Sequence, residues 1–144
     1  MIARESSNFD YVTARVKSRR ADLYGDEEYS ELLRMGTGGI TRFMEETTYQ
    51  REINELGTRH EGVDLIEYAL HANLARHFDD LLRWATGRLY QQIVRYLRKF
   101  DAWNAKTILR GQYADIDRAT IEDDLIDAGE FEDDFLTELL EAES

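Results

Sequence analysis

The sequence feature that most constrains the fold is a row of apolar residues that recurs at steps of three and four from Ile66 to Phe100. This spacing places the row on one face of an α-helix over about nine turns. The chain of 144 residues contains no proline, the residue that interrupts helices most strongly. Gly87 weakens the row by about 1 kcal/mol relative to alanine and can mark a bend. We therefore predict an all-α fold in which long amphipathic helices pack as a helical bundle, with a rigid rod over residues 66–100.

Shorter helices are predicted on both sides of this rod. They are expected over residues 8–24, 26–36, 40–57, 103–110, 120–127 and 132–141. Asn8 and Asp101 are residue types that cap helix N-termini, and they stand near the starts of two of these segments. The glycine-rich stretch from Gly36 to Gly39 is predicted to be a turn between helices.

The net charge of −12 is concentrated in one part of the chain. Residues 112–144 carry 13 acidic side chains and only one basic residue, Arg118, whereas residues 1–111 are neutral in sum. An anionic protein repels phosphate backbones, so we predict no nucleic-acid partner. The 15 arginines greatly outnumber the three lysines, and this acid-rich, lysine-poor composition indicates a halophilic source, where salt screens the self-repulsion.

A weak internal repeat divides the chain near Gly111. Leu32, Leu33 and Gly36 are matched at an offset of 93 by Leu125, Ile126 and Gly129. The sequence therefore predicts one complete helical repeat over residues 1–111 and the start of a second over the acidic residues 112–144. A repeat that is only begun cannot bury its apolar face alone, so we expect residues 112–144 to be truncated and the least stable part of the chain.

No catalytic or metal centre is predicted. The absence of cysteine excludes thiolate ligands, thiol nucleophiles and disulfides. Asp64, Glu67 and His71 are spaced so that they can meet on one helix, but a metal site normally needs three or four converging ligands in a defined pattern. We therefore predict no enzyme activity, metal or cofactor. No apolar segment approaches the length of a membrane span.

A basic, aromatic-rich segment extends from Arg88 to Arg110. Tyr90, Tyr96, Phe100 and Trp103 alternate with its cationic side chains. Three interpretations remain open: these cations pair with the acidic residues 112–144 or with neighbouring helices, they form a partner-protein surface, or, least favoured, they bind nucleic acid.

Two stretches carry a resemblance to a known family. One comprises Tyr11-Val-Thr-Ala-Arg15, the later run Tyr29-Ser-Glu-Leu-Leu33 and a helix that ends at Thr48-Tyr49. The other is the more specific segment from Tyr96 to Gly111, which contains Asp101, Asn104, Lys106 and Arg110. With these residues the chain resembles the N-terminal portion of the C subunit of the archaeal A-type ATP synthase, a relative of the V-ATPase d subunit.

The resemblance implies a mechanical function. Members of this family are non-catalytic subunits that link the membrane ion-translocating ring to the central stalk, so that proton or sodium ion transport is coupled to ATP synthesis. The implied location is peripheral, at the cytoplasmic side of the cell membrane, through partner subunits. The resemblance assigns residues 1–111 to the first helical domain of this type and residues 112–144 to a truncated second repeat. Four residues match the family signature, and we expect them to fix the packing of a helix break or to face the stalk: Asp101, Asn104, Lys106 and Arg110. Three residues match more loosely and are weaker interface candidates: Tyr11, Arg15 and Tyr49. The alternative is a helical scaffold or adaptor that binds another protein or, less favoured, nucleic acid.

Overall fold

The computed structural model describes residues 6–129 and 133–142. Within these residues all regular secondary structure is helical, which confirms the predicted all-α class. The helices are α1 (Phe9–Arg20), α2 (Asp26–Leu32), α3 (Thr37–Glu45), α4 (Gln50–Leu56), α5 (Gly62–Trp84), α6 (Gly87–Tyr113), α7 (Arg118–Asp123) and α8 (Asp133–Glu141).

The chain divides into two compact units at a point within α5. One unit comprises residues 9–74, and the other comprises the described residues of 1–8 and 75–144. The boundary predicted between residues 111 and 112 marks the start of a sequence repeat. The division into compact units does not test it, so it stays a prediction.

The unit of residues 9–74 has a small apolar core with a buried polar pair. Met44, Ile53, Leu65 and Ala69 form the core, and Ile40, Tyr49, Leu56 and Ile66 pack around it. Asn73 donates one hydrogen bond to the Thr48 carbonyl at 3.2 Å and another to the buried Glu52 carboxylate at 3.1 Å. A buried carboxylate requires a hydrogen-bond partner, and Asn73 supplies one to Glu52. The two bonds of Asn73 therefore hold α5 against the start of α4.

The second unit has two apolar clusters along α6. Leu97 and Phe100 pack with Ala75, Ile126 and Ala128. Further along α6, Ile108 packs with Ile121 and Leu136, and Leu125, Leu139 and Leu140 cover this cluster. The acidic segment after residue 111 thus contributes Ile121, Ile126, Ala128 and Leu136 to the apolar cover over one face of α6.

The predicted rod over residues 66–100 is wrong, because α5 ends at Trp84 and α6 begins at Gly87. Gly87 has φ +58°, a left-handed value that glycine adopts without steric cost. The side chain of Asn8 donates to the Trp84 carbonyl at 2.6 Å and accepts from the Thr86 amide at 2.9 Å. Arg88 donates its amide proton to the Ser7 hydroxyl at 2.9 Å. A segment some 80 residues earlier therefore satisfies the backbone groups that the break exposes.

Four shorter predictions also need correction. The helix expected over residues 26–36 ends at Leu32. Helix α3 begins at Thr37 after an extended N-cap at Gly36, so Gly38 and Gly39 are helical rather than part of a turn. The predicted helix over residues 40–57 is divided into α3 and α4. Between them the Thr47 hydroxyl donates a hydrogen bond to the Met44 carbonyl at 2.8 Å, and such side-chain bonds compete with the backbone hydrogen bonds of a helix. The first helix ends at Arg20 rather than at residue 24.

The ends of the predicted acidic helices also differ from those observed. Helix α7 begins and ends earlier than expected, at Arg118 and Asp123. The expected start of the last helix at Glu132 lies outside the described residues.

Candidate functional site on two faces of α6

The family-signature residues lie in one uninterrupted helix. Helix α6 runs from Gly87 to Tyr113, so the helix break expected near Asp101 does not exist and Asp101 is not an N-cap. No proline or glycine occurs between residues 88 and 110, and the apolar pattern of α6 continues through this segment. Asp101 and Asn104 are buried in the middle of the helix, whereas Lys106 and Arg110 are exposed.

The buried side of α6, which we call the inner face, follows a heptad-like spacing. It consists of Leu97, Asp101, Asn104 and Ile108, at steps of four, three and four. Residues at this spacing share one side of a helix. A polar pair therefore lies between two apolar residues in the same buried row.

Asn104 binds the backbone of Ile126 through both atoms of its amide. Its Nδ2 donates to the Ile126 carbonyl at 2.9 Å, and its Oδ1 accepts from the Ile126 amide at 3.0 Å. Asn104 is only 2% exposed. The side chain thus supplies the backbone of residue 126 with partners after α7 has ended, and it fixes this loop against α6.

Asp101 lies one helical turn before Asn104 and faces the same loop. A Cβ added at Gly129 would lie 1.7 Å from Asp101 Oδ1 and 2.7 Å from its Cγ. Real Cβ atoms do not approach other heavy atoms so closely, so only glycine fits at residue 129 while the Asp101 carboxyl keeps this position. We call Asp101, Asn104, Ile126 and Gly129 the polar latch.

A second set of contacts holds α7 and α8 on the end of α6. A Cβ at Gly111 would lie 2.5 Å from the Ile121 side chain, so glycine allows α7 to pack closely. Gln112 Nε2 donates to the Leu139 carbonyl at 2.9 Å, near the C-terminus of α8, where carbonyls lack helical partners. Arg118 Nη1 lies 3.3 Å from Glu141 Oε1.

The other side of α6 is exposed. Lys106 and Arg110 lie there with the aromatic side chains of Tyr96, Trp103 and Tyr113, which are 55%, 55% and 93% exposed. The structure thus separates the family-signature residues. Asp101 and Asn104 face the loop that contains Ile126 and Gly129, whereas Lys106 and Arg110 are exposed to solvent.

The three weaker candidates lie in the unit of residues 9–74. Tyr11 and Arg15 are exposed on α1, where the Arg15 guanidinium lies 5.5 Å from the centre of the Tyr11 ring. Tyr49 is half-buried between α3 and α4, and its ring centre is 5.8 Å from that of Tyr24. Burial, followed by the neighbouring Tyr24 and Tyr29 phenols, raises the pKa of Tyr49. The functional roles of all seven candidates stay predictions.

Several important residues carry no local signal in the sequence. Asn8 resembles an ordinary N-cap residue, and nothing near it indicates a bond to residue 84. Gly129 and Gln112 act on residues more than 25 positions away in the chain. Asn104 contacts a loop that has no regular secondary structure. A single sequence gives no sign that this residue and this loop meet.

The described residues contain neither a metal cluster nor a membrane-spanning helix. Among their side chains, no group of three or more His, Asp or Glu residues converges as a metal site would require. Within residues 6–129 and 133–142, no helix combines the length and the apolar character needed to cross a bilayer.

These features define a protein whose described residues form helices around one long helix, α6, with a covered face and an exposed face. Residues 12–144 match the model of the family described as the ATP synthase (C/AC39) subunit. Because this match covers most of the sequence, the chain belongs to that family, as the resemblance in the sequence predicts.

Curated relatives give the same assignment, and each of them is named as the C subunit of an A-type ATP synthase. The chain is 64% identical over 138 residues to the relative from Haloquadratum walsbyi, with 96% of this chain and 40% of the relative covered. It is 62% identical over 144 residues to the relative from Halorubrum lacusprofundi, covering 100% of this chain and 41% of the relative. It is 45% identical over 139 residues to the relative from Methanococcoides burtonii, covering 96% and 39%.

The relatives are longer than this chain and include salt-loving archaea. The chain spans about two fifths of their length, with 40%, 41% and 39% covered. The high identity to haloarchaeal relatives agrees with the halophilic source indicated by composition. No solved structure matches the chain.

Proposed function

We propose that the chain acts as a non-catalytic coupling element of an A-type ATP synthase. In this function it joins the membrane ion-translocating ring to the central stalk, so that ATP synthesis is coupled to the transport of protons or sodium ions. The observation that carries the proposal is the 64% identity, over nearly the whole chain, to a protein named as the C subunit of this synthase. The chain would lie at the cytoplasmic side of the membrane and reach the membrane only through partner subunits.

The architecture of α6 supports a mechanical function. A coupling element must keep its shape under load and must present surfaces to other subunits. Helix α6 has 27 residues, and its inner face is held by apolar contacts and by the paired hydrogen bonds of Asn104. These contacts stabilise the helix without use of its outer side, which can therefore meet a partner.

A scaffold or adaptor outside the ATP synthase is the second candidate. The exposed aromatic and basic residues of α6 favour it, because Trp, Tyr and Arg are common at the centres of protein interfaces. This surface serves either function, so the two candidates differ in the identity of the partner.

Co-purification distinguishes these candidates. The tagged chain is expressed in a haloarchaeal host and recovered from detergent-solubilised membranes in high salt, and the bound proteins are quantified by mass spectrometry. We expect ATP synthase subunits in fixed stoichiometry with the chain. Recovery of the chain with unrelated proteins, and without ATP synthase subunits, would favour the adaptor.

A further inference from the structure

The exposed side of α6 carries a regular row of aromatic and basic side chains. The row, which we call the outer stripe, consists of Tyr96, Lys99, Trp103, Lys106, Arg110 and Tyr113. All six residues are exposed. Their spacing is three, four, three, four and three, so they lie along one side of α6 over about 26 Å. The stripe contains three cations, three aromatic rings and no acidic residue.

The cations of the stripe are not neutralised within the described part of the chain. The sequence leaves open whether they pair with the acidic residues 112–144. The acid-bearing helices α7 and α8 instead pack on the inner face, where Arg118 pairs with Glu122 and Glu141. Among the described side chains, no ion pair joins Lys99, Lys106 or Arg110 to a carboxylate. Lys99 lies over the Tyr96 ring, 3.8 Å from its centre.

We propose that the outer stripe is a docking surface for an acidic amphipathic helix of another protein. The alternating three- and four-residue spacing is the one by which two helices meet along their length. The three cations select a partner with carboxylates in register. Trp103 and Tyr113 would supply the apolar contact that gives such interfaces most of their free energy of binding.

Other occupants fit the stripe less well. A helix that lies on a membrane presents a continuous apolar face bordered by cations, whereas here cations and rings alternate in one row. Binding of a nucleic acid depends on many phosphate contacts across a broad basic surface, whereas the stripe offers only three cations in a single row. The acidic helix α8 of a second copy is a poor occupant, because its apolar Leu136, Leu139 and Leu140 are already packed in the cluster around Ile108.

Photocrosslinking tests the surface directly. Benzoylphenylalanine replaces Trp103 in the stripe, or Leu33 as a control, since Leu33 is 87% exposed and does not belong to α6. After illumination of intact cells, crosslinked peptides are identified by mass spectrometry. We expect the Trp103 probe to crosslink strongly to an acidic segment with helical apolar spacing, with a yield well above that of the Leu33 probe. Crosslinks to lipid, nucleic acid or this same chain would overturn the inference, as would equal yields at the two sites.

A binding titration tests the proposed chemistry. The probe is a synthetic peptide of the crosslinked segment, with matched charge reversals on the chain at the exposed Lys106 and Arg59. We expect Lys106→Glu to weaken binding about tenfold or more, since like charges then meet at the interface. Arg59→Glu should change affinity less than about twofold, and Trp103→Ala should weaken it about thirtyfold. Equal effects of the two charge reversals would refute the stripe as the binding surface.

This inference stands apart from the proposed function. If the Trp103 probe crosslinks to an acidic helix of a protein outside the ATP synthase, and the chain does not co-purify with ATP synthase subunits, the stripe is a docking surface and the coupling function fails. If the chain co-purifies with the ATP synthase but the Trp103 probe gives no crosslink above the control, the function stands and the inference fails.

Discussion

Replacement of Asn104 by alanine should destabilise the chain strongly, because one side chain satisfies two buried backbone groups. The Ile126 amide would lose its acceptor, Oδ1, which lies at 3.0 Å. A buried donor left unpaired costs about 1–3 kcal/mol. The Ile126 carbonyl keeps the bond from the Ala128 amide at 2.8 Å, so loss of the Nδ2 bond costs only about 0.5–1.5 kcal/mol. We expect the free energy of unfolding to fall by about 1.5–4.5 kcal/mol in total.

Chemical denaturation in high salt measures this loss, and hydrogen exchange of the Ile126 amide shows whether the latch has opened. Asn104→Leu, of similar volume, separates the hydrogen bonds from the cavity that alanine leaves. Lys106→Ala is the matched control, because Lys106 is exposed on the same helix and its loss should change stability by less than about 0.5 kcal/mol. Equal stability losses for Asn104→Ala and Lys106→Ala, or unchanged exchange at Ile126, would refute the latch.

Three further predictions concern the latch, a helix cap and a half-buried phenol. Gly129→Ala should lower stability by about 1–3 kcal/mol, and much of this loss should vanish when Asp101→Ala removes the clashing carboxyl; additive losses in a double-mutant cycle would contradict the contact. Hydrogen bonds from the Thr120 hydroxyl and amide lower the pKa of Asp117, so the native state binds fewer protons than the unfolded state and the cap's stabilisation is lost as pH falls below the usual aspartate range. The difference in unfolding free energy between the natural chain and Asp117→Asn should therefore shrink with falling pH. A difference that stays constant with pH would contradict this role of Asp117. The raised pKa of Tyr49 predicts that its phenolate absorbance, isolated by comparison with Tyr49→Phe, appears at a pH above the usual tyrosine range. The free energy of unfolding should also fall as pH rises through that pKa. Ionisation of Tyr49 at the pH usual for tyrosine would contradict the partial burial of this ring.

The sequence reveals the helices and their apolar faces because these depend on local spacing. The row from Ile66 to Phe100 correctly predicts helical structure with an apolar face, but the single rod expected from it is wrong, because α5 and α6 are separate helices. Gly87 is a signal for a bend, whereas the bonds from Asn8 that stabilise the break join residues distant in the chain. Periodicity records which side of a helix is apolar and contains no information about which distant segment covers that side.

The candidate site is predicted in part for the same reason. The family signature points to α6, but it treats Asp101, Asn104, Lys106 and Arg110 as one group. The 3.6-residue period of the helix separates them, because Asp101 and Asn104 fall on the inner face while Lys106 and Arg110 fall on the outer one. The role of Gly129 depends on its contact with Asp101, which exists only after the chain has folded.

The measurement that tests the coupling function most directly compares ATP hydrolysis with ATP-driven ion uptake in sealed membrane vesicles. The vesicles come from haloarchaeal cells with the chain's coding sequence present, removed or restored. If the chain couples the ring to the stalk, its removal should abolish ion uptake while ATP hydrolysis continues, and its restoration should recover uptake. Uptake that is the same per ATP hydrolysed with and without the chain would contradict a coupling function.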